Sequence, residues 1–543
     1  MKERDYTLRG FVLTLAVVVG VALFALIPPF ELFGMHFAKV SLLEDIVGEE
    51  QVVEYSADIE RLEHELATLE PYVEEVEAEQ VEPLPSIRKE WIYEREGEAV
   101  RRVPRSEEVM PDMSRPIVAI EDFDTLEVSR FDRFVDKLAS GEAVRIAFLG
   151  DSFVEGDILT SDLRSELQQI FGGRGVGFVA CDIPFATVRR TIRRTSSGWS
   201  AYSVMKPKSA PEELRDKFFV SGYLARGGAG ARTQWSVTDA FETLDSVGRA
   251  RIILLSEADS RVELSLSDTL RYEVELEADS RLREIYVEAP ITDLAIKVVE
   301  GEVLCYGVSL EGDSGVMIDN FSVRSNNGHA IFGTGAHINR QIDELLGYDL
   351  VVLQYGLNIM QAERRNYSKY RDQLRDMIAY AERCFPNAAI MVMGVSDRWV
   401  RDTQGEGYKP IGTVDALSQY QRAAADSCGA AFWNTAEAMA ALGGMPKFVA
   451  DGWAAKDYTH INFRGGRALA EALAAAIRKP VYDLLAEREE LVRVEEERRA
   501  REAWAREQAR RASIEAQMAA VAAIVDSLDM GEWSVVEQNG VEE

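Results

Sequence analysis

Along the chain, apolar residues fall into four textures. Residues 11–27 run without a charge, and Pro28, Pro29 and Phe30 extend the run to a length at the lower edge of what spans a bilayer. From about 50 to 115 the chain is rich in Glu, Arg and Pro; Leu62, Leu66 and Leu69 suggest one short helix in an otherwise solvated tether. From about Ile117 a folded pattern begins. Phe131, Phe134, Val135 and Leu138 recur at helical spacing, and Val144 to Leu149 then forms an apolar strand ending at Gly150-Asp151-Ser152. Leu159, Leu163, Leu167 and Ile170 mark one face of the next helix. The glycine-rich Phe171–Gly177 stretch ends that helix instead of opening one, so it is a C-cap and loop, not a dinucleotide fingerprint.

Between about 190 and 315 short alternating runs replace the helical period. Arg251–Ser256, Arg261–Leu266, Tyr272–Leu276, Glu284–Glu288 and Ala295–Val299 are separated by turn residues, which predicts an antiparallel β-sandwich inserted into the surrounding α/β unit. Strand–helix–strand texture then resumes. Buried-type strands cover Gly315–Val323, Asp349–Tyr355 and Ala389–Gly394, with a helix over Tyr370–Cys384 between the last two. Such alternation means parallel βαβ units with helices on both faces of a sheet. A helix over about Phe463–Arg478 follows, with Asn462 as its N-cap and Pro480 as its stop. Leu484, Leu485, Leu491 and Val492 start a heptad-like seam, but Glu495–Arg511 is almost wholly polar. The tail to about Leu528 therefore reads as a solvated helix.

The expected organisation is a cytoplasmic tip and transmembrane signal anchor over 1–30 and an acidic tether over 31–115. A first part of the α/β domain (116–190), an inserted β-sandwich (191–314), a second α/β part (315–480) and a charged helical tail (481–543) follow. Lys2, Arg4 and Arg9 precede the apolar run, which predicts a cytoplasmic N-terminus and an exported remainder. A cleaved signal peptide is the rival, but no Ala-x-Ala site follows the run cleanly. At 543 residues and 47% hydrophobic the chain can bury two or three cores. Its net charge of -31 argues against nucleic acid as a partner, because phosphate binding needs clustered Lys and Arg. Cys181, Cys305, Cys384 and Cys428 lack metal-type spacing; one disulfide among them stays open, and no cofactor or metal is expected.

Strand and loop ends offer the chemistry. Ser152, Gly328 and Asn358 stand at three of them, and Asp457 and His460 at a fourth; in a parallel sheet such ends converge on one edge. A serine hydroxyl needs a base to become a nucleophile, an imidazole titrates near neutrality, and an aspartate fixes the imidazole's tautomer. Backbone N–H groups at Ser152 and Gly328, with the Asn358 amide, would serve an oxyanion. Only five histidines exist; His329 and His337 compete as bases, whereas His36 and His64 lie in the anchor and tether.

Gly150-Asp151-Ser152, Gly328, Gly356-Leu357-Asn358 and Asp457-Tyr458-Thr459-His460 resemble, in order, the four blocks of the SGNH or GDSL-type hydrolases. The resemblance covers roughly 140–190 and 315–480. It implies a flavodoxin-like three-layer domain in which Ser152 is the nucleophile, His460 the base and Asp457 its partner, with Ser152, Gly328 and Asn358 as the oxyanion hole. Gly333 and Gly335 are alternatives to Gly328. Phe153 departs from the leucine of the GDSL pattern. In layout the chain is similar to membrane-tethered peptidoglycan O-acetylesterases with an inserted carbohydrate-binding module; Leu304–Gly312 running into Gly315–Asn320 resembles the junction where that module rejoins the core. Trp199, Tyr202, Tyr223 and Trp235 are either sugar-stacking aromatics or core residues.

Three functions follow as expectations. The first is an exported, membrane-anchored esterase removing acyl groups, acetyl foremost, from a polysaccharide or peptidoglycan. The second is an O-acetyltransferase using the same residues beside a membrane-bound acyltransferase partner. The third is a non-catalytic glycan-binding or scaffold protein.

Overall fold

The computed structural model describes residues 30–32, 35–37 and 117–529, apart from 186–188, 245–246, 267–269, 313, 403–404 and 406. The apolar run 11–27 and nearly all of the tether lie outside the described residues. Among those described, no helix is long and apolar enough to cross a membrane. Of the N-terminal unit the structure describes one antiparallel pair, Phe30–Leu32 with Met35–Phe37.

In the larger unit, five parallel strands form one sheet. In chain order they are Val144–Gly150, Val316–Asn320, Leu350–Gln354, Ala389–Met393 and Ala431–Trp433. Across the sheet the second lies at one edge, then the first, third, fourth and fifth, and Glu121–Asp122 adds an antiparallel edge. This is the flavodoxin-like doubly wound order, whose switch point falls between the carboxyl ends of the first and third strands. Every residue of Val144–Gly150 is buried, which explains why its sequence, Arg145 apart, is apolar instead of alternating.

Two groups of helices cover the sheet. Arg130–Ser140, Thr160–Phe171 and the helix from Phe463 pack together; Ala336–Leu346, Ser368–Cys384 and Val414–Cys428 form the second group. The first of these helices shows why the local sequence folds this way. Ser129 and Asp132 make a reciprocal capping box, Gly141 closes the C-terminus at φ 70°, and Phe131, Phe134, Val135 and Leu138 are buried along one face. Each such side chain contributes roughly 1.5–3 kcal/mol of burial.

The helix from Phe463 does not end at Pro480 as its sequence suggests; it runs unbroken to Asp529. Proline removes one backbone hydrogen bond and crowds the preceding turn, at a cost of about 3 kcal/mol. Burial of Ile477, Val481 and Leu485 and ion pairs from Arg478 to Glu166 and from Arg488 to Asp136 fall on both sides of the proline and offset that cost. Beyond Arg488 no side chain through 523 is buried.

Among the described residues, the inserted region contributes eight strands to one hydrogen-bonded network with its own core. Two long strands, Tyr223–Val237 and Glu302–Glu311, change partners along their length, which curls the sheet on itself. Gly177–Ala180 also belongs to this network, pairing with Gly307–Leu310, so the β-region takes in a strand ahead of residue 191. Trp235 is fully buried and Tyr223 nearly so, which makes both core residues instead of sugar-stacking surfaces; Trp199 and Tyr202 are half-buried. All four cysteines are free, and Cys181 and Cys305 are both buried in the insert's core.

Charged groups join the insert to the parallel sheet. Arg145, on the first sheet strand, pairs with Glu311 of the insert and with Asp319 at 2.9 Å. Asp319 accepts from the Phe178 N–H at 2.7 Å and from the Tyr348 hydroxyl at 2.8 Å. A buried charge is tolerable only when its lone pairs are satisfied in this way.

Candidate active site

Ser152 follows directly on the first sheet strand, at its carboxyl tip. A side chain at Gly150 would drive a Cβ to 2.4 Å from Val154 Cγ2 and 2.9 Å from Gln354 Oε1, so only glycine permits the turn. Asp151 accepts the Phe153 N–H on Oδ1 at 2.9 Å, fixing the turn from within. Phe153 points into the core at 1% exposure, so its departure from leucine changes packing beneath the site.

His460 arrives from the loop before the long C-terminal helix. Its Nε2 is 3.4 Å from Ser152 Oγ, and its Nδ1 is 2.6 Å from Asp457 Oδ2. The Thr459 and His460 N–H groups donate to Asp457 Oδ1 at 2.9 and 3.1 Å, which locks the carboxylate under the ring. Burial alone would raise the Asp457 pKa, but the hydrogen bond and charge of His460 and the two backbone donors outweigh it and hold the carboxyl below its ordinary value. An ionised Asp457 obliges Nδ1 to carry the proton, leaving Nε2 free to accept one from Ser152.

Asn358 stands at the end of the third strand. Its Nδ2 donates to the Asn326 carbonyl at 3.0 Å and reaches Asp151 Oδ2 at 3.4 Å. The Gly328 N–H donates to Asn326 Oδ1 at 2.9 Å. Gly328 has φ 95°, and a Cβ there would meet Met377 Sδ at 2.5 Å, so the position needs glycine on two counts. Asn358 and Gly328 are thus brought to one cluster beside the Ser152 turn, both through Asn326. The competing histidines are placed elsewhere in role. His329 packs edge-on to Phe332 with ring centroids 5.2 Å apart, leaves Nε2 buried without a hydrogen-bond partner, and has its pKa lowered by burial. His337 is exposed on the helix Ala336–Leu346.

No protein-family model matches the chain, and no curated protein matches it. A solved peptidoglycan O-acetylesterase aligns at TM-score 0.55 and 22% identity, over 67% of this chain and 99% of its own. That alignment shows a shared fold. A family two carbohydrate esterase from Cellvibrio japonicus aligns at TM-score 0.23 and 10% identity, over 54% of this chain and 99% of its own. A carbohydrate binding module from Cellvibrio mixtus, in complex with cellotriose, aligns at TM-score 0.16 and 9% identity, over 22% of this chain and 90% of its own.

Sequence reasoning missed the groups that hold the Ser152 turn from outside. Asp157, five residues on, is fully buried at φ 67° and accepts from Thr160, Thr191, Arg164 and Arg189. Its burial would raise its pKa, but Arg164 and Arg189 hold the carboxyl far below the usual range. Asn320 Nδ2 donates to the Val154 carbonyl at 2.8 Å and reaches Asp157 Oδ1 at 3.3 Å. The Ser152 turn is therefore braced jointly by the sheet and by the start of the insert. Asn326 was likewise passed over, although its place two residues before Gly328 in an Asn-Asn-Gly turn was the available signal.

A cavity of about 830 Å³ lies away from this site. It opens at the sheet's opposite, amino edge among Arg145, Arg251, Glu311, Asp343 and Asp349. In parallel α/β sheets the reacting groups gather at the carboxyl edge, so geometry at Ser152 outranks cavity size.

Proposed function

We propose that this chain is a serine esterase that removes O-acyl groups, acetyl foremost, from a cell-envelope glycan such as peptidoglycan. The observation that carries this reading is the run of contacts from Ser152 through His460 to Asp457 at the carboxyl edge of the parallel sheet. The shared fold with a peptidoglycan O-acetylesterase supports the choice of ester and glycan, and the SGNH-like order of the motif blocks supports the residue roles.

In this mechanism Ser152 Oγ attacks the ester carbonyl while its proton passes to His460 Nε2. Asp457 stabilises the imidazolium that forms. The carbonyl oxygen becomes an oxyanion, received by the Ser152 N–H and by Asn358 Nδ2, and by the Gly328 N–H once it releases Asn326 Oδ1. The long 3.4 Å contact from Asn358 to Asp151 is the one the oxyanion would replace. Collapse expels the sugar alkoxide, which takes the proton from His460, and leaves an acyl-enzyme on Ser152. Water, deprotonated by His460, then releases acetate and restores the serine.

Anchoring by residues 11–27, with the basic Lys2, Arg4 and Arg9 on the cytoplasmic side, would hold the enzyme at the membrane with its bulk exported towards that glycan. The test is acetate release by the full-length chain from O-acetylated peptidoglycan and from an activated acetyl ester. Ser152→Ala should abolish both, and a serine-directed probe should label Ser152 only when His460 is present. Acetate release undiminished in Ser152→Ala would overturn the proposal, and acetylated sugar in place of free acetate would move the reading to transfer.

A further inference from the structure

Beside the Asp457–His460 turn stands an aromatic column that the mechanism above does not use. Tyr458 lies between the two, with φ 58°, a conformation that costs a bulky L-residue roughly 1–2 kcal/mol. Its ring stacks on that of Tyr408, centroids 4.1 Å apart and planes 18° from parallel. Trp399 lies 6.4 Å from Tyr458 on a tilted plane, and its N–H donates to the Tyr458 carbonyl at 3.0 Å. Trp399 and Tyr408 belong to a two-stranded hairpin, Trp399–Arg401 with Tyr408–Pro410, that follows the fourth sheet strand.

The hairpin is tied to both sides of the candidate site. Just before it, Arg398 donates to the Leu357 carbonyl at 3.3 Å, one residue from Asn358. Trp399 binds the Asp457–His460 turn as above. Tyr408 is 39% exposed although its ring is stacked on that of Tyr458. The Cα of Tyr458 can lie at most about 7 Å from that of His460, two residues along the chain. An exposed tyrosine this close to His460 has the amphipathic character that suits a sugar ring, with C–H groups on its face and hydroxyls at its rim.

We propose that Tyr408, backed by Tyr458 and Trp399, is a sugar-stacking platform that holds the glycan carrying the ester, or its neighbouring residue, against the site. The proposal deepens the esterase reading and rests on it for the position of the ester. Strain at Tyr458 fits such a use, since non-glycine residues in this region cluster where ligands are held. The rival role for the column is mechanical, a clamp on the His460 turn.

Two measurements on the full-length chain separate these. In a Ser152→Ala background, which removes turnover, soluble glycan strands released from peptidoglycan are titrated by calorimetry. Tyr408→Ala should weaken binding about tenfold, equivalent to about 1.4 kcal/mol, and Tyr408→Phe should restore it. In the active chain, Tyr408→Ala should lower the ratio of kcat/KM on O-acetylated glycan to kcat/KM on a small activated acetyl ester by a similar factor, chiefly through KM. Unchanged glycan affinity, or an equal loss on both esters, overturns the platform. Absence of acetate release by the unaltered chain would instead overturn the esterase reading, while the binding result would still decide the platform.

Discussion

Asp457 Oδ2 meets His460 Nδ1 at 2.6 Å within a single three-residue step, and the same carboxylate's other oxygen takes two backbone N–H groups. The turn orients the imidazole through its own backbone, and the Trp399 backbone N–H braces it from the hairpin through the Tyr458 carbonyl. A neutral amide at 457 could keep the hydrogen bonds to Oδ1 but would offer Nδ1 a donor where an acceptor is needed.

Asp457→Asn should therefore fold normally and lose activity. The imidazole would be held in the wrong tautomer, with Nε2 protonated and unable to accept from Ser152. A fall in kcat of roughly 10³–10⁴-fold is expected on an activated acetyl ester, by analogy with other Ser-His-Asp sites. Circular dichroism and melting temperature should match the parent chain. Activity within tenfold of the parent would remove Asp457 from the proposed role.

The parts of this molecule legible in its sequence are those governed by short-range pattern. The apolar run Ile146–Leu149 and its abrupt end at Gly150 mark a doubly buried strand and a tight turn. The helical spacing of Phe131, Phe134, Val135 and Leu138 marked the face that is in fact buried. What pattern could not convey was support drawn from far along the chain. Asp157 is bound by Arg189 and Thr191, 32 and 34 residues away, and Arg145 reaches Glu311 across 166. Gly177–Ala180 is only four residues long, too short to declare which sheet it joins. Pro480 failed as a stop signal because packing on both sides of it outweighs a local penalty that sequence rules treat as decisive.

Asp343 contributes a part of the stability that falls with rising pH. Burial, with the nearby charges of Asp349 and Glu344 adding to it, pushes its carboxyl up to about 6, although the Tyr348 N–H donates to it at 3.0 Å. Between the ordinary carboxyl value of 3.8 and about 6 the folded state holds a proton that the unfolded state has released. Stability from this group therefore declines as pH rises through that window, and the full penalty applies above it. Asp343→Asn keeps an oxygen for Tyr348 and removes the charge. It should stabilise the chain by about 2 kcal/mol above pH 6 and make no difference near pH 4. Urea unfolding at a series of pH values checks this; a variant equally stabilised at both ends would sink the account.

Asp157 and Arg164 set the strongest test of how the Ser152 turn is held. Both are almost completely buried, at 0% and 1% exposure, and the guanidinium also donates from Nε to the Ile318 carbonyl at 2.9 Å. Asp157→Ala would strand two buried guanidiniums, those of Arg164 and Arg189, and remove the acceptor for Thr160 and Thr191. Breaking a buried pair from one side costs about 3–5 kcal/mol, because the remaining charge stays out of water. Asp157→Asn should cost less, since asparagine tolerates a positive φ and keeps one oxygen. The order of urea midpoints should be parent, then Asn, then Ala. Because the turn is braced by these bonds, acetate release should also fall in the Ala variant at temperatures where it remains folded. An Ala variant as stable as its parent would mean that water reaches the two arginines and that the Ser152 turn is held by the sheet alone.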